Sequence, residues 1–194
     1  LSGSIVNHGR ISGVPDVNGQ YASLYFGANT ELSGGGRIVL PGSLATLAGS
    51  PLVTVNQSQH SIEGAGQIGG NLIINNLAGG AIEANIANQT LFVNYNTQSG
   101  QSPINQGAYW ALNGGRLVVS TQSHDPYPIF RGLDNEGGYI FADRDSIVEL
   151  DINVRGGTLS SFKDNQNPNR SGLIRVGGYL DGRTATIQNF AEIT

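Results

Sequence analysis

The chain has 194 residues, enough for one domain with a substantial hydrophobic core, and its 10 basic and 14 acidic residues give a formal net charge of −4. This balance excludes the extended basic surface that binding to nucleic acid or to an anionic membrane requires. The absence of cysteine excludes disulfides and thiol chemistry, and no apolar run has the length of a membrane span. We therefore predict no nucleic-acid partner and no membrane insertion by this segment.

Short apolar stretches alternate with Gly and Asn from the first residues onward. This alternation predicts strands of three to five residues separated by sharp turns, because Gly and Asn tolerate positive φ. The clearest single strand is 146–155, where one face is apolar and the other polar. Its inward residues would be Val148, Leu150, Ile152 and Val154. Three polar segments are predicted loops: 94–106, 120–128 and 163–171.

The pattern Gly-Gly-x-Ile/Leu recurs far more often than the residue frequencies predict. Its seven copies begin at Gly35, Gly69, Gly79, Gly114, Gly137, Gly156 and Gly177. Most copies follow one another at about 22 residues, and an inserted loop at 94–106 explains the longer interval from Ile82 to Leu117. A period near 20 residues is typical of stacked coils of short strands. We predict an all-β fold, a right-handed parallel β-helix (solenoid) of about eight coils with one long inserted loop.

The repeat also predicts where side chains lie. Each pair of glycines should form a corner, and the Ile or Leu that follows should point into the core. With coils of equal length, the last four of these residues would form one buried ladder: Leu117, Ile140, Leu159 and Leu180. We expect residues 1–194 to form a single domain, and the start at Leu1 instead of Met indicates a segment of a longer chain.

Several stretches resemble the repeats of large bacterial surface and secreted β-helix proteins. They are 63–72, 80–85, 89–93 and 157–160. In these residues the chain is similar to filamentous-haemagglutinin-like adhesins and to autotransporter passengers. The resemblance implies a β-helical fold and export to the cell surface or the extracellular space. The Asn-Pro-Asn-Leu and Asn-Pro-Asn-Gly-Ile motifs of two-partner secretion domains are not found, so this segment would not be the part that the export machinery recognises.

Aromatic residues in or beside the predicted loops are candidate ligand-binding residues. Exposed rings at such positions could stack on the faces of sugars. The candidate glycan-binding residues are Tyr95, Tyr109, Trp110 and Tyr127. The alternative is that Tyr109 and Trp110 cap the core beneath the inserted loop.

Acidic residues concentrate between Asp134 and Asp151. In polysaccharide lyases and glycosidases of β-helix fold, clustered carboxylates bind calcium or act as acid and base. The candidate acidic cluster is Asp143, Asp145, Glu149 and Asp151. The alternative is a solvated surface, because strand alternation explains Glu149 and Asp151, and a turn explains the two others. His8, His60 and His124 are isolated in the sequence, so we predict no metal site, no catalytic constellation and no cofactor.

Repeats throughout the chain favour a non-enzymatic structural or adhesive segment of an exported bacterial surface protein: a stalk, an adhesin or a surface-assembly subunit. Its partners would be glycans, or neighbouring copies of the same protein that pair through the open ends of the coil. The alternative is a carbohydrate-active or glycan-binding β-helix module, similar to a polysaccharide lyase or glycosidase. A phage fibre segment is a third hypothesis.

Overall fold

The computed structural model describes residues 1–13, 23–95, 101–121, 132–178, 180–181 and 186–188. Across these residues the secondary structure is β apart from one 3-10 turn, Pro168–Arg170, and no helix is long and apolar enough to cross a membrane. The strands are β1 (Gly3–Val6), β2 (Arg10–Ser12), β3 (Leu24–Phe26), β4 (Thr30–Ser33), β5 (Arg37–Gly49), β6 (Val53–Gln57), β7 (Ser61–Gly69), β8 (Leu72–Asn76), β9 (Ala81–Ala84), β10 (Thr90–Tyr95), β11 (Ala108–Ala111), β12 (Arg116–Thr121), β13 (Gly132–Asp134), β14 (Tyr139–Ala142), β15 (Ile147–Asp151), β16 (Asn153–Arg155), β17 (Thr158–Ser161), β18 (Leu173–Val176), β19 (Leu180–Asp181) and β20 (Thr186–Gln188).

The strand pairings are parallel wherever the structure describes them. One sheet has four strands in the order β1-β4-β6-β8, one has three in the order β13-β16-β19, and 13 strands form the third. The predicted all-β architecture is thus confirmed. Parallel strands in a nearly closed arrangement are compatible with a β-solenoid or with a barrel.

The pairings form three ladders, which the chain visits in the same order each time. The first ladder contains β1, β4, β6, β8, β13, β16 and β19, with bridges at Ile104 and Asn105 between β8 and β13. The second contains β2, β9, β11, β14, β17, β20 and the first halves of β5 and β7. The third contains β3, β10, β12, β15, β18 and the second halves of β5 and β7. We call one circuit through the three ladders a pass.

Inward side chains of neighbouring passes lie side by side and form the core. In the second ladder the inward row is continuous and fully buried: Ile38, Ile62, Ile82, Tyr109, Ile140 and Leu159. Burying a side chain of this size contributes roughly 1.5–3 kcal/mol. The predicted inward residues of 146–155 are also buried, although β15 ends at Asp151 and β16 begins at Asn153 because the chain turns there from the third ladder to the first.

The prediction of one buried ladder through Leu117, Ile140, Leu159 and Leu180 is wrong. Ile140 and Leu159 are partners in the second ladder. Leu117 pairs with Leu91 and Val148 in the third ladder, and Leu180 pairs with Val154 in the first. The reason is that Gly-Gly-x-Ile/Leu serves at more than one corner of a pass.

The predicted regular period and the single inserted loop need the same correction. Ile82 and Leu117 belong to different ladders, so the interval between them does not measure one period. Within the second ladder the step from one inward residue to the next varies from 19 residues, between Ile140 and Leu159, to 31, between Tyr109 and Ile140. Passes therefore differ in length while their strands keep the same register.

The two glycines of a corner have different roles. At the corner before β14, Gly137 has a φ of 81°, a left-handed conformation that costs other residues about 1–2 kcal/mol. Gly138 has no such φ, but a Cβ there would overlap the backbone carbonyl of Asn105 and lie 2.6 Å from Asn135 Oδ1. The first glycine makes the turn, and the second lets the next pass approach.

A column of amide side chains runs through the first ladder. Gln57 Nε2 donates to Asn76 Oδ1 at 2.7 Å, Asn76 Nδ2 to Asn105 Oδ1 at 2.7 Å, and Asn105 Nδ2 to Asn135 Oδ1 at 2.6 Å. Asn135 Nδ2 completes the series by donating to the backbone carbonyl of Gly156 at 3.1 Å. All four amide residues are fully buried. We call them the amide column.

His60 is a second buried polar group at the corner between the first and second ladders. It is 2% exposed, and Asn7 Nδ2 lies 2.9 Å from its Nε2. Asn7 Oδ1 accepts a hydrogen bond from the amide of Gly9, so the Asn7 amide nitrogen is the donor to the ring. His60 is then neutral, and burial lowers its pKa below the ordinary 6.5, against a smaller opposite effect of a backbone hydrogen bond at Ser61.

Replacing Asn105 by alanine should destabilise the protein by about 3 kcal/mol, because the buried Asn135 Oδ1 loses its donor and a cavity opens. The free energy of unfolding from urea titrations measures this. Asn165→Ala, at an exposed position, is the control and should change the free energy by about 0.5 kcal/mol or less. Equal losses in the two variants would show that the amide column does not stabilise the fold.

The protein should lose stability as the pH falls from 6.5 toward the lowered pKa of His60. In this window the unfolded chain binds a proton at His60 and the folded chain does not, so the free energy of unfolding rises with pH. Urea titrations at pH 7.5, 6.5 and 5.5 should show the slope in the wild type and a smaller slope in His60→Gln. Identical slopes would contradict a neutral, buried His60.

Candidate functional site

The outer face of the second ladder carries the chemistry that stands out in the structure. Along its strands, buried and half-buried residues alternate, so every second side chain points outward. Strand register places five of these outward residues in one line across the passes. This line, which we call the central outer row, consists of Glu63, Glu83, Trp110, Phe141 and Ser160.

The aromatic part of the row is wider than its two members. Tyr139 lies two residues before Phe141 on β14, and their rings stack with centroids 5.9 Å apart and planes 17° apart. Trp110 is the strand neighbour of Phe141, and all three rings are half-buried. Half-buried rings on a flat sheet present an apolar face to solvent, which is the geometry that stacks on the face of a sugar.

Beside Tyr139 and Phe141 lies a depression of about 400 Å³, which we call the aromatic depression. Its other lining residues include Ser160, Phe162, Lys163 and Asn165. Ring faces together with hydroxyl, ammonium and amide groups are the combination that small-molecule and sugar sites use. The guanidinium of Arg144 lies 4.8 Å from the centroid of Phe162 and holds that ring by a cation–π contact.

Two carboxylates lie at the other end of the row. Glu63 and Glu83 are register partners on β7 and β9, and Glu83 is the neighbour of Trp110. Burial raises the pKa of Glu83, the negative charge of Glu63 raises it further, and Arg37 opposes both effects. Arg37 Nε lies 3.7 Å from Glu63 Oε1. Glu63 therefore has a cationic partner, and the proton of the pair resides preferentially on Glu83.

Of the predicted glycan-binding residues, Tyr95 and Tyr109 do not have exposed rings. They are 1% and 0% exposed, so the expectation that they protrude from a loop is corrected. Both take inward positions, at the end of β10 and near the start of β11, and their hydroxyls hydrogen-bond to each other. Burial raises the pKa of both phenols. They cap the core beside the loop, which is the alternative considered for Tyr109.

Trp110 is the one predicted aromatic residue that the described structure places on the outer face. Its ring is half-buried, and its indole N–H has no hydrogen-bond partner within the described part of the chain. Tyr127 lies outside the described residues. Sequence reasoning missed Tyr139, Phe141 and Phe162, which lie in strands or at a strand end and not beside the inserted loop.

The predicted acidic cluster does not converge on one point. Asp145 pairs with Arg170, whose Nη2 lies 2.7 Å from Asp145 Oδ2, and Glu149 pairs with both Arg116 and Arg175. Asp143 lies with Asp145 near the turn before β15, and Asp151 is exposed at the end of that strand. Among the described residues no three acidic or histidine side chains form a group that could hold a metal ion.

The electrostatics of these carboxylates agree with a structural role. The hydrogen bond from Arg170 lowers the pKa of Asp145. Burial would raise the pKa of Glu149, but the hydrogen bonds from Arg116 and Arg175 outweigh it and lower that pKa. Both groups therefore stay ionised and paired at neutral pH, and neither is suited to donate a proton.

Sequence reasoning also missed Glu63 and Glu83, although a signal was present. Ile62-Glu63 and Ile82-Glu83 are the same dipeptide 20 residues apart, each with a small residue after it. In a structure whose passes stack in register, equal dipeptides at one pass length place equal side chains next to each other.

Comparison of the chain with protein-family models, with curated proteins and with solved structures found no match.

Proposed function

We propose that the chain is a parallel β-solenoid, in which each pass stacks on the preceding one. Three features support this fold over a barrel. The described strands are parallel, each ladder takes its strands in sequence order, and the chain visits the three ladders in a fixed cycle. A barrel closes by pairing the first strand of a sheet with its last, whereas β1 and β8 lie at opposite ends of the four-stranded sheet.

We further propose that this solenoid is a non-enzymatic, adhesive and structural segment of an exported bacterial surface protein, and that it binds glycans through the central outer row. The observation that carries the proposal is the aromatic surface formed by Trp110, Phe141 and Tyr139 beside the aromatic depression. The export and the bacterial origin rest on the resemblance of the repeats to those of surface β-helix proteins.

The geometry suits recognition of an extended polymer. A ladder of parallel strands presents its outer residues at intervals of about 4.8 Å along one flat face. Each ring is held by its strand neighbours, so little side-chain freedom is lost when a sugar stacks on it. Ser160 and Lys163, which line the depression, supply the polar contacts that fix the orientation of a sugar.

A glycan array tests this proposal. The wild-type segment should bind at least one class of polysaccharide, and Trp110→Ala and Phe141→Ala should each weaken that binding about tenfold, because each removes a stacking face. Affinities follow from titration calorimetry with the oligosaccharide that the array identifies. Circular dichroism and urea titrations show whether the variants remain folded.

Phe92→Ala is the matched control, because Phe92 is 46% exposed on the outer face of the third ladder, away from the row. It should bind like the wild type. The proposal is overturned if the wild type binds no glycan on the array, or if Phe92→Ala loses as much affinity as the two row variants.

A second candidate function is hydrolysis or elimination of a polysaccharide, and one observation favours it. Glu63 and Glu83 are adjacent carboxylates with unequal environments, and burial and the charge of Glu63 raise the pKa of Glu83. Paired carboxylates that differ in protonation act as acid and base in glycoside cleavage. Trp110 beside Glu83 would hold a sugar next to that acid.

If the second candidate is correct, the segment releases new reducing ends from a polysaccharide, and Glu83→Gln lowers that rate at least a hundredfold by removing the general acid. The rate should also fall as the pH rises through the raised pKa of Glu83, since the acid form is then lost. Glu136→Gln, at an exposed turn, is the control. A wild-type segment that cleaves none of the polysaccharides tested overturns the enzymatic candidate and leaves the adhesive one.

A further inference from the structure

The outer face of the second ladder has a basic depression at its beginning. It has a volume of about 390 Å³ and is lined by the side chains of His8, Arg10, Arg37 and Ser61 together with glycines of two corners. The aromatic and acidic residues of the central outer row contribute nothing to it. It lies on the same face as that row, because β2 and β5 precede β7 in the second ladder.

Two arginines lie side by side in this depression. Arg10 on β2 and Arg37 on β5 are register partners, and both are exposed. Neighbouring strands are about 4.8 Å apart, and like charges directly opposite each other on paired strands are destabilising. An anion bound between the two guanidinium groups would remove this repulsion.

Arg10 is the arginine whose charge is uncompensated. The described segments contain seven arginines, and six of them have a carboxylate within 4.0 Å: Arg37, Arg116, Arg144, Arg155, Arg170 and Arg175. Arg10 has none among the described residues. Arg37 shares its charge with Glu63 at 3.7 Å, so Arg10 supplies most of the free positive charge of the depression.

The donors match a planar or tetrahedral oxyanion. A guanidinium presents a rigid fork of N–H groups that binds a carboxylate or a sulfate through two hydrogen bonds. The hydroxyl of Ser61 adds a donor on the next strand, and His8 adds positive charge when it is protonated. Two arginines are too few for a nucleic-acid backbone, which needs an extended basic surface.

We infer that this depression binds the anionic group of an acidic polysaccharide, a carboxylate or a sulfate, while neighbouring sugars of the same chain contact the central outer row. Arg37 and Trp110 are separated by three strand spacings, about 14 Å along the ladder. Glu63 and Glu83 lie between them and disfavour a second anion there, which places the charged sugar at the arginine end. In naming a polysaccharide as the carrier, the inference rests on the proposed glycan-binding function.

Calorimetry with oligogalacturonate and with its methyl ester tests the inference, because the two differ only in the charge of the carboxyl groups. The wild type should bind the acid about tenfold more tightly than the ester, and Arg10→Gln should remove this difference without changing the affinity for the ester. Raising the salt from 50 to 300 mM should weaken binding of the acid alone. Dextran sulfate against dextran is the corresponding comparison for sulfate.

Arg175→Gln is the control, with the same charge change at an arginine that pairs with Glu149 on the third ladder. It should bind like the wild type. Equal affinity of the wild type for the charged and uncharged members of both pairs, or a preference that Arg10→Gln leaves intact, overturns the inference. Binding of duplex DNA that depends on Arg10, without binding of any acidic oligosaccharide, overturns the assignment of a polysaccharide.

The same measurements separate this inference from the proposed function. If the ester binds and Trp110→Ala abolishes that binding, glycan recognition by the aromatic row stands whatever Arg10 does. If the acid binds in an Arg10-dependent manner and Trp110→Ala leaves its affinity unchanged, the anion site stands and the aromatic row is not part of it.

Discussion

Hydrogen-bonded register between parallel strands is the constraint on which the rest of the molecule depends. A shift of one residue would exchange the inward and outward faces of a strand. The amide column opposes such a shift, because Asn76 and Asn105 form their hydrogen bonds only when both are inward and adjacent. Replacing one of these bonds by an unpaired buried amide costs more than the bond itself contributes. Register is therefore maintained although the passes differ in length.

The same register assembles the outer surface. Ile82 and Tyr109 are buried neighbours, so the residues that follow them, Glu83 and Trp110, are outward neighbours. Residues 20 to 31 positions apart in the sequence thereby meet in one row. The row needs no loop to position it, and its side chains do not take part in the core. Fold and surface are thus specified by alternate residues of the same strands.

Much of the fold could be predicted from the sequence, because glycine corners and alternating strands are local signals. Ile140 and Leu159 follow such corners and are buried neighbours as expected. Leu117 could not be assigned to its ladder, since its corner has the same local sequence and passes vary in length. Tyr109 and Trp110 show the limit for the site. One of two adjacent aromatics is buried and the other half-exposed, and only the phase of β11 against β9 and β14 decides which.

The spacing between functional groups on the outer face is quantised. Arg37 and Trp110 lie on strands of the second ladder separated by β7 and β9, and each strand adds about 4.8 Å. Insertion or loss of a whole pass would change the distance by one such unit and leave the orientation of both side chains unaltered. The ladder then acts as a ruler: the number of passes between two groups selects the length of the ligand that reaches both of them.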